Sequence, residues 1–504
     1  MKKSIIVGLA LASTLLVSCK KDFLETNASG SITSETLRKY NEENPNVVEP
    51  LQQGMFRGLY SWMYTRGSGG LPSSHVDIGQ KGMDLMSDLL CGDFVKSGNT
   101  YGWHGDLQQY TATSDKNNLL NYMVWRYYYR IIFTANGVLD NLGGDEASFE
   151  KNEQNASARF SMGQALGMRG YAYFYLMQFL TKEYAPEELS IPLYRSPSKE
   201  VNMPVVPQKD IYNRIIADLT KSIEYLDGFT RDGKYQVNSD VSRVFLAYTY
   251  AAMGDYAKAE ALSAEVMNNK EYSIFGPEDI VYAGDPTKGG FNSIQLPGVI
   301  WGTDLTVDMG MRLVSFWGHI DPFHYSYAAA GEPRVMDTNL YDLIREDDIR
   351  AKQVGKFGRN SNLPYNKFYP TERKVSGIFE TDCDYIYIRV DEMHLLNAEA
   401  KAAQGKDAEA KAVLKAYLKD RIADLSFIDG LSGDDLKKEI YNQTRIEFLG
   451  EGKSYLAMKR NKATVTFGKL RFDNFKEQSM AYNDNRMFFK IPENEEVNNP
   501  NLRK

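Results

Sequence analysis

Residues 242–267, SRVFLAYTYAAMGDYAKAEALSAEVM, predict two helices joined by a tight turn. Apolar residues recur at helical spacing on both sides of Gly254-Asp255, and Tyr256 and Ala259 begin the second helix. Small side chains on both predicted helices allow the two to approach closely. The stretch therefore predicts a packed pair of antiparallel helices.

A weaker copy of this pattern, LLNAEAKAAQGKDAEAKAVLKAYL, spans residues 395–418. Gly405 takes the place of Gly254, and Ala410 takes the place of Ala259. Both copies resemble a tetratricopeptide repeat, which is one helix pair of a larger stack. They lie far apart in the chain, so we expect helix pairs interleaved with other material.

Helical spacing also predicts helices at residues 51–64, 83–90, 121–142, 157–180 and 211–226. Two long segments, 65–106 and 272–380, are mainly irregular and rich in glycine, although 299–306 could form a strand. The predicted fold class is mainly α, a tetratricopeptide-like scaffold of helix pairs with long irregular segments and a few short strands. Long irregular segments in compact proteins usually carry function, and we expect these two to meet on one face of the scaffold.

The N-terminal residues 1–18 have the features of a secretory signal. Two lysines precede an apolar run over 5–17, which is too short to span a bilayer. Ser18 lies directly before Cys19 and Leu16 lies three positions before it, a pattern that resembles a bacterial lipobox. That resemblance implies that Cys19 becomes the first mature residue and carries lipid, with 19–50 as a tether and edge. The alternative is an ordinary signal peptide with a chance cysteine.

Net charge, length and cysteine content exclude some classes of protein and predict features of the fold. The net charge of −7 argues against a nucleic-acid partner held through phosphates. The length exceeds the usual limit of ~250–300 residues for one core, which predicts two lobes or a solenoid with insertions. Cys91 and Cys383 are expected to be buried and free, because a chain of this length does not need a disulfide.

Further stretches, taken with the lipobox, resemble the SusD/RagB family of surface-exposed outer-membrane lipoproteins. They match in order from residue 19 to residue 502: Cys19 to Glu25; Trp125, Ile131, Ala135-Asn136 and Leu139; Gly163 to Phe174; Ile211-Tyr212 and Asp218-Leu219; Tyr387-Ile388-Arg389 and Leu396 to Ala400; Arg445, Glu447-Phe448 and Glu451-Gly452; Ile491-Pro492 and Asn499 to Leu502. Gln164, Leu166 and Ser454-Tyr455 depart from the family pattern, which affects scaffold packing.

The resemblance implies an architecture and a role. The fold would hold four tetratricopeptide-like helix pairs in a right-handed superhelix, with an N-terminal region at 51–271 and a C-terminal region at 272–504. The role would be to bind a nutrient, usually a glycan, and to hand it to a TonB-dependent barrel transporter. The protein would then lie on the cell surface, anchored in the outer membrane through Cys19.

The sequence contains little that predicts catalysis. The five histidines are scattered, and HExxH, GxSxG and GxGxxG motifs are absent. The carboxylate pairs Asp347-Asp348 and Asp434-Asp435 lie in hydrophilic runs, whereas a glycosidase needs one carboxylate in an apolar setting. We therefore expect no enzyme and no cofactor. Structural calcium at Asp-rich turns stays open, although no EF-hand spacing occurs.

Sugar binding has better support, because a flat aromatic ring buries the C–H face of a sugar while polar neighbours bind its hydroxyls. The chain holds 33 tyrosines, and two irregular stretches, 101–106 and 316–327, mix rings with polar groups. The candidate rings and polar partners are Tyr101, Trp103, His104, Trp317, Phe323, His324, Tyr325, Asp77, Asp304 and Arg312. The alternative for each ring is that it packs the loops onto the scaffold.

The sequence therefore predicts a non-catalytic, lipid-anchored binding protein of a nutrient importer. Two alternatives remain: a peptide-import subunit, and a structural lid that binds the transporter but has little affinity for ligand. A lid would tolerate the loss of every loop aromatic, whereas a binder would lose affinity with one. A cell-surface hydrolase is a more distant alternative.

Overall fold

Helices account for most of the regular structure. The computed structural model describes residues 54–197 and 199–502, so the predicted signal, Cys19 and most of the tether lie outside the described residues. In chain order the helices are α1 at residues 54–61, α2 Gln80–Leu90, α3 Gly105–Gln108, α4 Thr111–Ser114, α5 Leu119–Asn141, α6 Ala156–Leu180, α7 Gln208–Tyr225, α8 Ser239–Met253, α9 Tyr256–Met267, α10 Pro277–Ile280, α11 Phe316–Ile320, α12 Thr338–Tyr341, α13 Asp391–Ala403, α14 Asp407–Leu418, α15 Gly433–Glu447, α16 Ser454–Arg460 and α17 Glu493–Asn498.

The predicted scaffold of packed helices is confirmed. Helices α5 to α9 each pack against the next, α9 then packs against α13, and α13 packs against α14, although residues 268–390 intervene between α9 and α13. Both predicted tight turns are present: Gly254 and Gly405 have φ of 82° and 74°, a left-handed backbone that glycine adopts without steric cost. The two tetratricopeptide-like pairs are therefore neighbours in space.

Small residues allow α6 and α7 to pack closely. A methyl group on Gly163 would lie 2.7 Å from the side chain of Leu226, and one on Gly170 would lie 2.8 Å from Leu219. Arg169, on the same helix, is fully buried and donates two hydrogen bonds of 2.7 Å to Asp218 of α7 and one of 2.8 Å to Asn136 of α5. One guanidinium thus holds three helices together.

Short strands connect the irregular segments to each other and to the scaffold. They are β1 Phe94–Lys96, β2 Leu189–Pro192, β3 Val205–Pro207, β4 Val299–Thr303, β5 Arg334–Met336, β6 Gly355–Phe357, β7 Asn360–Leu363, β8 Tyr385–Arg389, β9 Thr464–Thr466 and β10 Ser479–Ala481. The antiparallel pairs are β1 with β5, β2 with β3, β4 with β8, β6 with β7 and β9 with β10. The predicted strand near residue 300 is β4, which pairs with the strand that leads into α13.

Some elements differ from the sequence-based expectation. Residues 316–320 form the short helix α11 inside a segment predicted to be irregular, because Ser315 caps it by accepting a hydrogen bond from the Gly318 N–H. The helices α15 and α16 were not predicted. Helix α16 is only seven residues long, and α15 buries charged residues, Arg445 and Glu447, that a hydropathy pattern assigns to solvent.

A buried ionic network lies where α15 ends. The carboxylate of Glu447 accepts hydrogen bonds from Arg350 at 3.0 Å, from Arg389 at 3.0 Å and from Arg421 at 2.9 Å. Burial alone would raise the pKa of Glu447, but the three guanidinium groups hold it well below its usual range. Glu447 therefore stays ionised and links α15 to two parts of the 268–390 segment, Arg350 and β8, and to the residues after α14.

A second carboxylate extends this network. Glu451 accepts hydrogen bonds of 2.8 Å from Arg389 Nε and from Lys367 Nζ, and Lys367 also donates to the backbone carbonyls of Glu447 and Leu449 at 2.8 Å. These groups are fully or nearly fully buried. The C-terminal part of the chain is thereby fixed to the 268–390 segment.

Cys91 and Cys383 are buried free thiols, as the sequence predicts. Burial raises the pKa of both thiols. Among the described residues, no helix combines the length and apolar character that crossing a membrane requires. The described residues belong to one unit by their contacts, residues 50–504, and the division at 271/272 stays a prediction from the sequence.

The network predicts a large loss of stability when one carboxylate is neutralised. Glu447→Gln leaves three buried guanidiniums short of one negative charge, and breaking a buried pair costs about 3–5 kcal/mol. We expect the free energy of unfolding in urea to fall by that amount. The matched control is Asp434→Asn on the same helix, whose side chain is 99% exposed and which should cost far less, because an exposed charge in the first turn of a helix contributes little. A loss in Glu447→Gln no larger than in the control contradicts this role.

The same stabilisation has a defined pH dependence. The folded-state pKa of Glu447 is lowered, so its contribution is complete above the unfolded pKa of ~4.3 and is lost as the pH falls below it. The stability difference between the wild type and Glu447→Gln should therefore shrink between pH 7 and pH 3. Urea titrations at both pH values measure this, and a difference that grows on acidification contradicts the assigned charge.

Candidate ligand-binding surface

The two irregular segments meet, as the sequence predicts. Strand β1 of the first segment pairs with β5 of the second, with Phe94 opposite Met336, Val95 opposite Val335 and Lys96 opposite Arg334. The pairing continues in a hydrogen bond of 3.2 Å from the Ser97 N–H to the Pro333 carbonyl. Residues near 100 are thereby brought beside residues 325–334.

Arg334 fixes the loop that carries two of the candidate rings. Its guanidinium is fully buried and donates to the Trp103 carbonyl at 2.9 Å and to His104 Nδ1 at 2.9 Å. The neighbouring Glu332 accepts a hydrogen bond of 2.7 Å from the Tyr101 N–H. Burial lowers the pKa of Arg334 to about 10, although Glu332 favours the cation. The same burial, with Arg334 nearby, holds the pKa of His104 well below its usual range, so His104 accepts as a neutral ring.

Four rings from the two segments form an aromatic face, defined as His75, Tyr101, Trp103 and Tyr327. The rings of His75 and Trp103 stack with centroids 4.6 Å apart and planes 11° apart, and those of Tyr101 and Tyr327 lie 5.0 Å apart. His75 Nδ1 is hydrogen-bonded to the Tyr327 hydroxyl. Tyr101 is 47% exposed and His75 and Trp103 are half-buried, whereas Tyr327 is buried and supports the other three rings. The face thus offers flat apolar surface on a hydrogen-bonded support.

A second surface feature is an exposed ring pair, Tyr325 and Phe379. The two rings stack with centroids 5.5 Å apart and are 51% and 63% exposed. Arg312 forms an exposed ion pair with Glu380, the residue that follows Phe379. Tyr325 points to solvent, whereas Tyr327, two positions later, belongs to the aromatic face.

Besides the buried His104, three candidate rings of the second segment lie inside the protein. Trp317 is fully buried and its indole N–H donates to the Cys383 carbonyl at 2.9 Å. Phe323 packs under the guanidinium of Arg373, whose carbon lies 4.7 Å from the ring centroid, and His324 is paired with Asp321 at 3.0 Å. In this structure all three hold the second segment in place.

The two acidic candidates, Asp77 and Asp304, differ in burial. Asp77 is fully buried and accepts hydrogen bonds of 2.8 Å from the backbone N–H groups of Gly69 and Leu71, which fixes the loop before His75. Asp304 is exposed. Burial raises the pKa of the neighbouring Asp384 to about 6, and Asp304 adds to that shift.

His75, Glu332, Arg334 and Phe379 belong to this surface but are not among the residues that the sequence predicts for it. Each acts through a partner more than fifty residues away, so no local pattern marks it. Among the described residues, no group of three or more His, Cys, Asp or Glu side chains is placed to hold a metal ion.

Comparisons with known proteins agree with this architecture. A SusD-like family model described as "Starch-binding associating with outer membrane" matches residues 83–247, and a model described as "SusD family" matches residues 315–504. No curated protein matches the chain.

Solved structures show the same fold. A SusD-like carbohydrate binding protein from Bacteroides vulgatus ATCC 8482 aligns with a TM-score of 0.72 at 23% identity, over 90% of this chain and 96% of that one. A SusD superfamily protein from Bacteroides thetaiotaomicron VPI-5482 aligns with a TM-score of 0.72 at 20% identity, over 90% of this chain and 98% of that one. Surface glycan-binding protein A from Bacteroides uniformis aligns with a TM-score of 0.66 at 16% identity, over 90% of this chain and 98% of that one.

The placement of the rings predicts a large loss of stability for one substitution and a small loss for another. Trp317→Ala empties a buried site and should lower the free energy of unfolding by about 3–5 kcal/mol. Tyr101→Ala removes a half-exposed ring and should cost less than about 1 kcal/mol. Chemical denaturation of both variants measures this. Equal costs would contradict the assignment of one ring to the core and the other to the surface.

Proposed function

The chain belongs to the SusD/RagB family, and on that premise we propose that it binds a glycan at the cell surface and delivers it, chemically unchanged, to a TonB-dependent outer-membrane transporter. The observation that carries this proposal is the aromatic face, in which rings from two distant segments lie together and the buried Arg334 holds the loop of Tyr101 and Trp103 in place. A sugar would stack its C–H face on Tyr101 or Trp103. The exposed ring pair, with Arg312, offers further contact for a longer chain.

Rigidity favours this reading of the aromatic face. A ring already held in place loses little conformational freedom when a ligand stacks on it, so more of the contact energy appears as affinity. His75 and Trp103 stack on each other, and Arg334 and Glu332 fix the backbone on both sides of Gly102. The surface is therefore preorganised.

Charge at the aromatic face also suits a glycan. Burial lowers the pKa of His75, with Arg66 adding to the shift, and lowers that of His319 beneath it to about 3. Both rings are neutral at pH 7 and serve as hydrogen-bonding groups. Neutral rings of this kind suit the hydroxyls of a sugar.

The proposed glycan site predicts which rings carry affinity. Tyr101→Ala and Trp103→Ala should each weaken binding about tenfold or more, because a few desolvated aromatic anchors dominate such sites. Phe133→Ala is the matched control, since this ring is 62% exposed on the scaffold helix α5. Calorimetric titration of residues 20–504 against a panel of soluble polysaccharides and oligosaccharides measures the loss.

The panel also separates the alternatives. Binding that the loop variants lose and Phe133→Ala keeps supports the proposal. Affinity for peptides and for no glycan would favour a peptide-import subunit. Binding to neither, with the transporter still captured from membranes, would favour a structural lid.

We also propose that Cys19 carries the lipid that anchors the protein in the outer membrane. Several acyl chains hold a protein firmly, at ~0.8 kcal/mol per buried CH₂. Cys19→Ser should abolish labelling by palmitate and shift the protein out of the membrane fraction, whereas Cys91→Ser, at a buried thiol, should keep both. Labelling retained in Cys19→Ser would contradict the anchor.

A further inference from the structure

A cleft of about 500 Å³ lies beside the loop that carries the aromatic face. One wall comes from the segment around that loop, and the other comes from the C-terminal residues 472–475. The residues that line it include Lys96, Asn99, Gln109, Phe472 and Asn474. Its volume suits a short oligosaccharide unit.

The cleft combines a ring with amides. Phe472 is 72% exposed, the most exposed of the large aromatic side chains in the described part of the chain. Amide groups of Asn99, Gln109 and Asn474 line the same cleft. Amides donate and accept hydrogen bonds, which suits the hydroxyls of a sugar whose C–H face lies on the ring.

The end of the cleft at Lys96 carries excess positive charge. Lys96 and Arg334 are both buried, and they share one carboxylate, Glu332, whose Oε1 lies 3.4 Å from Lys96 Nζ. Lys96 Nζ also donates to Asn99 Oδ1. His104 and His319 are neutral and supply no charge, and Asp473 at the other wall is paired with Arg471 at 3.0 Å.

We propose that this cleft binds a negatively charged sugar unit, a uronic acid or a sulfated sugar, with its anionic group at Lys96 and its ring on Phe472. The inference rests on the proposed function, since it specifies which glycans the surface prefers. Because the cleft borders the loop of Tyr101 and Trp103, one chain would contact both the aromatic face and the charged end.

Matched pairs of ligands test the charge directly. Calorimetric titration would compare oligogalacturonate with its carboxyl-reduced counterpart, and sulfated galactan fragments with their desulfated counterparts. At least one charged member should bind about tenfold or more tightly than its neutral partner, since hydrogen bonds to charged groups are the stronger ones. The preference should fall as salt is raised.

Two variants locate the preference. Lys96→Met removes the excess cation and leaves the buried Arg334 with the carboxylate of Glu332, so it should abolish the preference for the charged ligand. Phe472→Ala, at an exposed side chain, should weaken the charged ligand about tenfold and leave the fold intact by circular dichroism. Tyr101→Ala should weaken charged and neutral members alike.

The outcomes separate this inference from the proposed function. Wild-type protein that binds neutral and charged members equally overturns the inference and leaves glycan binding standing. A charge preference that survives in Lys96→Met, or charged-ligand binding that Phe472→Ala leaves unweakened, overturns the assignment to this cleft. Failure to bind any glycan removes the proposed function together with the inference.

Discussion

The buried carboxylate of Glu447 is the point on which the arrangement of the described chain depends. Three guanidinium groups converge on it: two come from the 268–390 segment, at Arg350 and at Arg389 of β8, and the third is Arg421, after α14. Each of these charges would be strongly unfavourable if buried alone, and together with Glu451 and Asp391 they compensate one another. A long irregular segment is thereby fixed against helices that would otherwise pack only with themselves.

A buried charge also fixes the candidate ligand-binding surface, here over a shorter stretch of chain. Once the second segment is fixed, β5 pairs with β1, and the buried Arg334 reaches the backbone of the loop at 101–104. Tyr101 and Trp103 owe their positions to this contact. The loop is thus held by hydrogen bonds to its backbone. The exposed faces of Tyr101 and Trp103 therefore remain available to a ligand.

The sequence predicts the helical part of the fold well, because helical period and the turns at Gly254 and Gly405 are local signals. Residues that carry the family resemblance, such as Arg169, Arg389 and Glu447, prove to be members of buried polar networks. The candidate site is harder to predict from the sequence. Trp317 and Tyr325 lie in one aromatic stretch, yet one ring is fully buried and the other half-exposed, since burial depends on segments distant in the chain.

The central claim is that a glycan stacks on the aromatic face. A crystal structure of the protein with a bound oligosaccharide tests it most directly. The account predicts a sugar ring in van der Waals contact, within about 4.5 Å, with the exposed face of Tyr101 or Trp103, and a loop at 101–104 unchanged from the unbound protein. A sugar bound on the scaffold helices, away from both rings, would contradict it.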